Sequence, residues 1–356
     1  MEFSILKDIL KPKVLSAFVE EWKAEESPIL KYMPYKTVPS LQYQIVQGEE
    51  QRPLADIVAY DTSFPLKSRP ALSKITGDIP ALRLMRQMSE TDLNNFMQFN
   101  AQKDPDTSAV IELVFNDLVY CYKAVLNRLT WLGFTALSTG EISLTALNNV
   151  GVKTETNITF HIDRKSGASV AWDATVSTTK PISDIIALCD LARLSGIILR
   201  KILMSRTSFS YMRKSEETIN FVFGDQGSAV TKYPNLTVLN ENLKADGLPE
   251  ISIIDCYLQF ENEEHTISNL QAWNEGKIAF LPQNEIGAIL NCKTAEEEFR
   301  PLQVTQTKKG IVLLSKWGEN NPCREFTSGA CNGFPAIKLS ESIFLMNSLA
   351  TSWTGE

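Results

Sequence analysis

Histidine is almost absent from this chain: its 356 residues hold two, His161 and His265, and neither stands beside a cysteine. The six cysteines, Cys121, Cys189, Cys256, Cys292, Cys323 and Cys331, include no CxxC pair. A zinc site draws its thiolate and imidazole donors from tightly spaced motifs, so this scatter points to free buried thiols, and no metal or cofactor is expected. Also missing are GxxxxGK[ST] and GxGxxG, whose glycines let backbone N–H groups approach a phosphate, and GxSxG, which presents a serine nucleophile. Nucleotide hydrolysis and Ser-His-Asp chemistry lose their main supports with them. A surplus of positive charge is lacking too, since 35 Lys and Arg against 42 Asp and Glu leave a formal charge of -7. Wrapping nucleic acid needs clustered cations whose binding releases counterions, so that role is not expected, while merely enclosing nucleic acid stays open. No charge-free apolar stretch reaches the about 18 residues of a membrane span. The start, Met1 to Lys13, reads as an amphipathic helix and not as a secretion signal, which implies a soluble protein made in the cytoplasm.

What remains for chemistry is thin. His161 lies in the strand-like run Thr159 to Ile162 with no nucleophile nearby, and reads as structural. His265 closes the acidic run Glu261 to His265, where neighbours in an extended segment point to opposite faces and cannot converge on one ion. Glu296, Glu297 and Glu298 read as an exposed helical face. Basic residues gather at Lys67 to Arg86 and at Arg200 to Lys214, the second with Phe209 and Tyr211 inside it. Aromatic faces there could stack on bases, but patches of charge in an acidic protein serve subunit contact more simply. No catalytic, cofactor-binding or metal-binding residue is assigned, and the chain is not expected to be an enzyme.

The elements can be read from periodicity. From Lys7 to Trp22 apolar residues recur every three or four positions, predicting a helix broken or entered at Pro12. Ser27 to Pro39, with three prolines, reads as an extended arm more than as core. Ser40 to Pro80 holds short β-prone runs among many charges and predicts a long, thin hairpin that must lie on another surface. The strongest helix is expected from about Pro105 to Trp131, capped by Asp104 or Asp106 and stopped at Gly133, a rod of about 40 Å. Glu141 to Leu147 and Lys153 to Ile162 form a hairpin punctuated by Asn148, Asn149 and Gly151, and Pro181 to Leu194 a second helix. Ile197 to Met204, Thr218 to Phe223, Ile251 to Phe260, Lys277 to Leu281 and Gly310 to Lys316 read as strands. The order is mixed α+β, without the alternation of a doubly wound sheet.

Three segments carry a family resemblance. Asn321-Pro322-Cys323-Arg324-Glu325-Phe326-Thr327, followed by Gly333-Phe334-Pro335-Ala336-Ile337, resembles the C-terminal signature of the lambda-type phage major capsid protein E family. Gly167 to Asp173 with Pro181 to Ile186 is similar to the family's Gly-x-x-Trp segment leading into a helix, and Lys277 to Pro282 to its strand ending at Leu-Pro. Cys323 and Cys331 around the signature depart from the pattern.

The resemblance implies the Hong-Kong-97-like capsid fold and the following parts: N-terminal helix and arm over 1–39, E-loop hairpin and return over 40–98, peripheral domain with the spine helix over 99–180, axial domain over 181–300, and C-terminal return strands over 301–356. It further implies a major capsid protein of a tailed bacteriophage or prophage, assembled in the host bacterial cytoplasm into pentamers and hexamers of an icosahedral virion shell. The partners implied are copies of itself, with scaffold, portal and decoration proteins as further ones, around DNA held without sequence-specific binding and without a membrane. A nanocompartment shell of the same fold, resembling an encapsulin, and an unrecognised soluble hydrolase are the alternatives. Some relatives join an E-loop lysine, here Lys67 or Lys74, to a neighbour's asparagine. That needs an acidic catalyst in a geometry the sequence does not show, so the cross-link is not expected. Residues 1–80 should supply most of the grip between subunits, and removing 1–37 should leave a folded tile.

Overall fold

A computed structural model describes residues 12–23, 25–47, 73–94, 107–145, 148–149, 156–224, 232–261, 266–299 and 303–353. The segment before Pro12, the distal part of the 40–80 hairpin with Lys67, the Asp104 and Asp106 caps, and His265 lie outside them.

The chain enters a helix at Pro12–Glu21, makes a short 3-10 turn at Pro28–Lys31, and continues through β1 (Tyr35–Thr37), β2 (Gln42–Gln47), β3 (Ser73–Asp78) and β4 (Ala81–Met88). The long helix follows at Thr107–Thr139, then β5 (Glu141–Leu144), β6 (Thr156–Thr159) and β7 (Lys165–Gly167). Helix Pro181–Leu194 leads to β8 (Lys201–Ser205), helices Arg206–Lys214, Glu216–Phe223 and Leu236–Ala245, and β9 (Glu250–Ile254). β10 (Tyr257–Glu261) and β11 (Ile267–Gln271) form a hairpin, followed by β12 (Lys277–Leu281) and β13 (Gly287–Cys292). After the helical turn Ala295–Glu298 the chain ends in β14 (Thr305–Lys309), β15 (Val312–Asn320), β16 (Cys323–Ile337) and β17 (Phe344–Asn347).

The long helix is longer than the sequence reading. It runs through Gly133 to Thr139, about 50 Å at 1.5 Å per residue. Gly133 is a notch and not a stop: a Cβ there would stand 2.6 Å from Cγ1 of Ile29. The stop is Gly140, whose φ of 77° is the left-handed turn that ends a helix. Phe115, Leu118, Cys121, Tyr122, Val125, Leu129 and Leu132, spaced three and four apart, form the buried stripe. β16 crosses this helix, and at Gly329 a Cβ would lie 2.8 Å from the Cys121 carbonyl oxygen, so only glycine permits the approach.

Two sheets do most of the packing. In one, β16 pairs along its length with β13, β15 and β4, while β1 and β14 extend the edges. In the other, the order is β7-β17-β12-β8-β9. Its three inner strands are buried on both faces. Leu203, Ala279, Leu281 and Leu345 join the core around the long helix, whereas Ile202, Met204, Ile278, Phe280, Phe344 and Met346 join a second core with helices Pro181–Leu194, Arg206–Lys214 and Leu236–Ala245. The register keeps each set on one face, with Phe280 opposite Ile202 and Phe344, and Ala279 opposite Leu203 and Leu345.

Several expectations need correction. Thr218 to Phe223 is helical, not a strand: Glu216 and Glu217 suit a helix N-terminus, and Gly224, at φ 76°, ends it. The β-branched and aromatic residues suggested a strand, but packing against neighbouring helices overrides that preference. The Ile251 to Phe260 run breaks at Asp255-Cys256 into β9 and β10, which serve different sheets. Gly310 (φ 57°) is the turn between β14 and β15, so the strand expected from Gly310 starts at Val312 and reaches Asn320. Ser27 to Pro39 is core as well as arm. Ile29, Tyr32 and Met33 are buried, and β1 pairs in parallel with β13. Removing 1–37 would therefore open the core. Ile29→Ala is expected to cost about 2–4 kcal/mol, as a filled core site truncated to a methyl does. Urea denaturation of the purified variant measures it, and a loss under about 1 kcal/mol would return this segment to the status of a loose arm.

Candidate assembly surface

The β2–β3 hairpin is anchored at its base. Tyr43 on β2 faces Gly77 on β3, and its ring lies where a Cβ at Gly77 would be, 2.7 Å from Oη. The ring stacks on Phe334 at 5.6 Å, and Phe334 stacks on Phe160 at 5.9 Å, so the hairpin base is fixed by a pile of three rings. The Ile79 N–H donates to the Leu41 carbonyl at 2.8 Å and closes the base. Burial pushes the Tyr43 phenol above its ordinary range. Beyond this anchor β2 and β3 pair only with each other among the described residues. An isolated pair of strands is marginal in water, so a hairpin of this kind depends on a surface to lie on.

The N-terminal helix has no such need. Phe18 stacks on Phe115 at 3.9 Å and Trp22 meets Tyr122 edge-on at 4.9 Å. Lys309 Nζ donates to the carbonyls of Val19 at 2.6 Å and Trp22 at 2.9 Å, where the end of the helix leaves acceptors free for a cation. The described part of this helix thus places Phe18, Val19 and Trp22 against its own chain.

In each basic cluster two described residues are paired within the molecule. Arg83 pairs with Glu296 at 3.0 Å, Arg86 with Asp117 at 2.9 Å while lying over the Tyr120 ring, Lys201 with Glu250 at 3.7 Å, and Arg206 with Asp255 at 2.5 Å. Phe209 is buried, and Tyr211 packs partly buried against the second core. Glu296, Glu297 and Glu298 form the expected helical turn and pair with Arg83, Lys308 and Lys293. His161 follows β6 instead of lying in it, exposed at φ 50°. A recess of about 980 Å³ between residues 26–32 and β9 has no histidine or cysteine in its lining. Along its wall Asn240 both donates to and accepts from the Ile251 backbone, at 2.9 Å each, sealing part of the β9 edge.

The resemblance segments are structural. Asn321 and Pro322 make the turn between β15 and β16, where Asn320 pairs with Cys323. Glu325 and Lys316 form a buried ion pair across those strands, and Phe326 stacks on Trp317 at 5.4 Å. Cys323 is exposed and Cys331 buried; eight residues of extended strand hold them about 26 Å apart, too far for a disulfide. In the second segment Trp172 Nε1 donates to Asp184 at 2.9 Å and the Ser169 N–H to the same carboxylate at 3.1 Å. The Glu217 carboxylate accepts from the Ile182 N–H at 2.8 Å, holding the start of helix Pro181–Leu194. Among the described residues no group of three acidic, histidine or cysteine side chains is placed to hold a metal.

A family model described as phage major capsid protein E matches residues 30–290, nearly three quarters of the chain. The chain belongs to that family. The match ends before the Asn321 to Ile337 segment, which therefore stands on its own as the central strand of the larger sheet. Among solved structures, one described as a capsid protein of a prophage of E. coli CFT073 superposes with a TM-score of 0.58 at 13% identity, covering 94% of this chain and 98% of that one. A phage-related protein from Bordetella bronchiseptica RB50 gives 0.52 at 13%, covering 95% and 97%. Among curated proteins none matches in sequence. The fold is the Hong-Kong-97-like α+β capsid fold, and the protein is a phage or prophage major capsid protein, a structural subunit and not an enzyme.

The thiols of the capsid subunit offer a direct check on this packing. Burial pushes Cys121 up to about 11 and Cys331 up to about 12, so at pH 8 on the order of a thousandth or less of either is thiolate, the form that alkylates. Iodoacetamide on the native protein should modify Cys323 first and leave Cys121 and Cys331 intact until denaturant is added. Peptide mapping by mass spectrometry reads this, and early modification of Cys331 would contradict its place on the buried face of β16.

Proposed function

We propose that the subunit closes into rings of five and six copies that join as an icosahedral virion shell around double-stranded DNA, built in the host bacterial cytoplasm. The observation that carries this is the β2–β3 hairpin, anchored at Tyr43 and, among the described residues, paired with no third strand. A neighbouring copy supplies the missing surface. Heterologous contacts of this kind, repeated by rotation, generate rings, and interfaces that hold obligate assemblies commonly bury more than about 2,000 Å². The DNA is enclosed without sequence-specific binding, in keeping with the negative net charge and the internal pairing of Arg83, Arg86 and Arg206. Scaffold, portal and decoration proteins are the further partners of such a shell. The working parts are the divisions 1–39, 40–98, 99–180, 181–300 and 301–356, and no catalytic residue, cofactor or metal takes part.

The parts differ in what they contribute. Residues 28–37 complete the tile, because Ile29, Tyr32, Met33 and β1 are built into it, while the hairpin makes the grip. A chain starting at Pro12 is expected to fold with the thermal midpoint of the full chain, whereas one starting at Val38 aggregates or stays unfolded. Replacing 48–72 with a short turn should give a folded subunit that forms no shells. Negative-stain microscopy and size-exclusion chromatography read all three, and normal shells from the hairpin-less chain would overturn the proposal.

A further inference from the structure

Helix Pro181–Leu194 is apolar on both sides. Its inner side, Ile182, Ile185, Leu188, Cys189 and Ala192, packs into the second core. Its outer side, where a helix on a protein surface ordinarily carries charge, presents Ile186, Ala187, Leu191 and Leu194 to solvent, with Ile198 continuing the strip past the helix end. Leu194 is 88% exposed and Leu191 52%. The charges on this face, Asp190 and Arg193, bind each other at 2.8 Å, so the face offers no net charge to a partner. Exposed leucines in a row without lysine have the composition of an interface centre.

We infer that this helix face is a contact between copies of the subunit, seated against a second copy inside the shell. The inference rests on the self-assembly reading above and names a surface outside the hairpin. A second copy is the occupant because every subunit of a shell is surrounded by identical ones at fixed spacing, and because a neutral apolar face asks for an apolar partner and not for DNA. The strip is about 12 Å long from Ile186 to Leu194 at 1.5 Å per residue, shorter than a standard interface of about 800 Å² per partner requires. It is therefore the dry middle of a wider contact, rimmed by polar residues such as Ser183 and Ser195.

The test uses Leu194→Cys in a Cys323→Ser background, with maleimide labelling followed by peptide mapping of free subunits and of assembled shells. Residue 194 should label in free subunits and be protected at least about tenfold in shells made of this chain alone. Equal labelling in both, with shells present, overturns the inference and leaves the self-assembly reading standing; so does protection that appears only when some other protein co-purifies. A chain that stays monomeric at every concentration overturns the self-assembly reading and this inference with it. As a second measure, Leu191→Lys with Leu194→Lys should leave the melting temperature of the subunit within about 2 °C, because neither side chain enters the core, while reducing shell yield at least about tenfold. Shells at the unmodified yield would again refute the contact.

Discussion

The three inner strands of the smaller sheet, β17, β12 and β8, have no solvent side. Residues on one face complete the core around the long helix, and residues on the other complete the core beneath helices Pro181–Leu194, Arg206–Lys214 and Leu236–Ala245. Because alternate residues of one strand belong to different cores, neither half can loosen without the other. That rigidity is what a tile needs if it is to pass force between neighbours without bending. It also explains why Lys277 to Leu281 reads as an unbroken apolar run after its first residue: a strand buried twice shows no alternation.

Around this centre the capsid subunit sorts its segments by what they can bury alone. The N-terminal helix and residues 28–37 find their partners on the long helix and β13. Among the described residues the β2–β3 hairpin rests on one ring stack at its base and pairs with no third strand. Helix Pro181–Leu194 satisfies its inner side and leaves leucines outside. Among the described residues the hairpin and this helix face are thus two of the surfaces left unsatisfied, beside exposed apolar residues such as Phe299 and Ile267, in a chain of the capsid family.

Much of this could be read from residue order, and the failures have physical causes. The Pro181–Leu194 helix, β12 and the mixed class follow from local pattern, because proline placement and apolar runs agree there with the tertiary outcome. Gly133 misled because a glycine can serve a neighbour's side chain as well as a turn, and Ile29 lies more than a hundred residues away in sequence. Thr218 to Phe223 misled because β-branched residues tolerate a helix when three other helices surround it. Ser27 to Pro39 misled because prolines mark an extended backbone but say nothing about what it lies against. The candidate assembly surface was legible as an excess, too many charges for a self-sufficient hairpin, whereas the exposed leucines were not, since apolar residues on both sides of a helix suggest full burial within one chain.

The aromatic stack at the hairpin base couples two parts of the molecule. Tyr43 fits because Gly77 opposite it carries no side chain, and its ring rests on Phe334, which stacks in turn on Phe160. Any side chain added at Gly77 would push first on Tyr43 and through it on Phe334, a ring of the central strand of the larger sheet, so the root of the hairpin and the sheet behind it cannot vary independently.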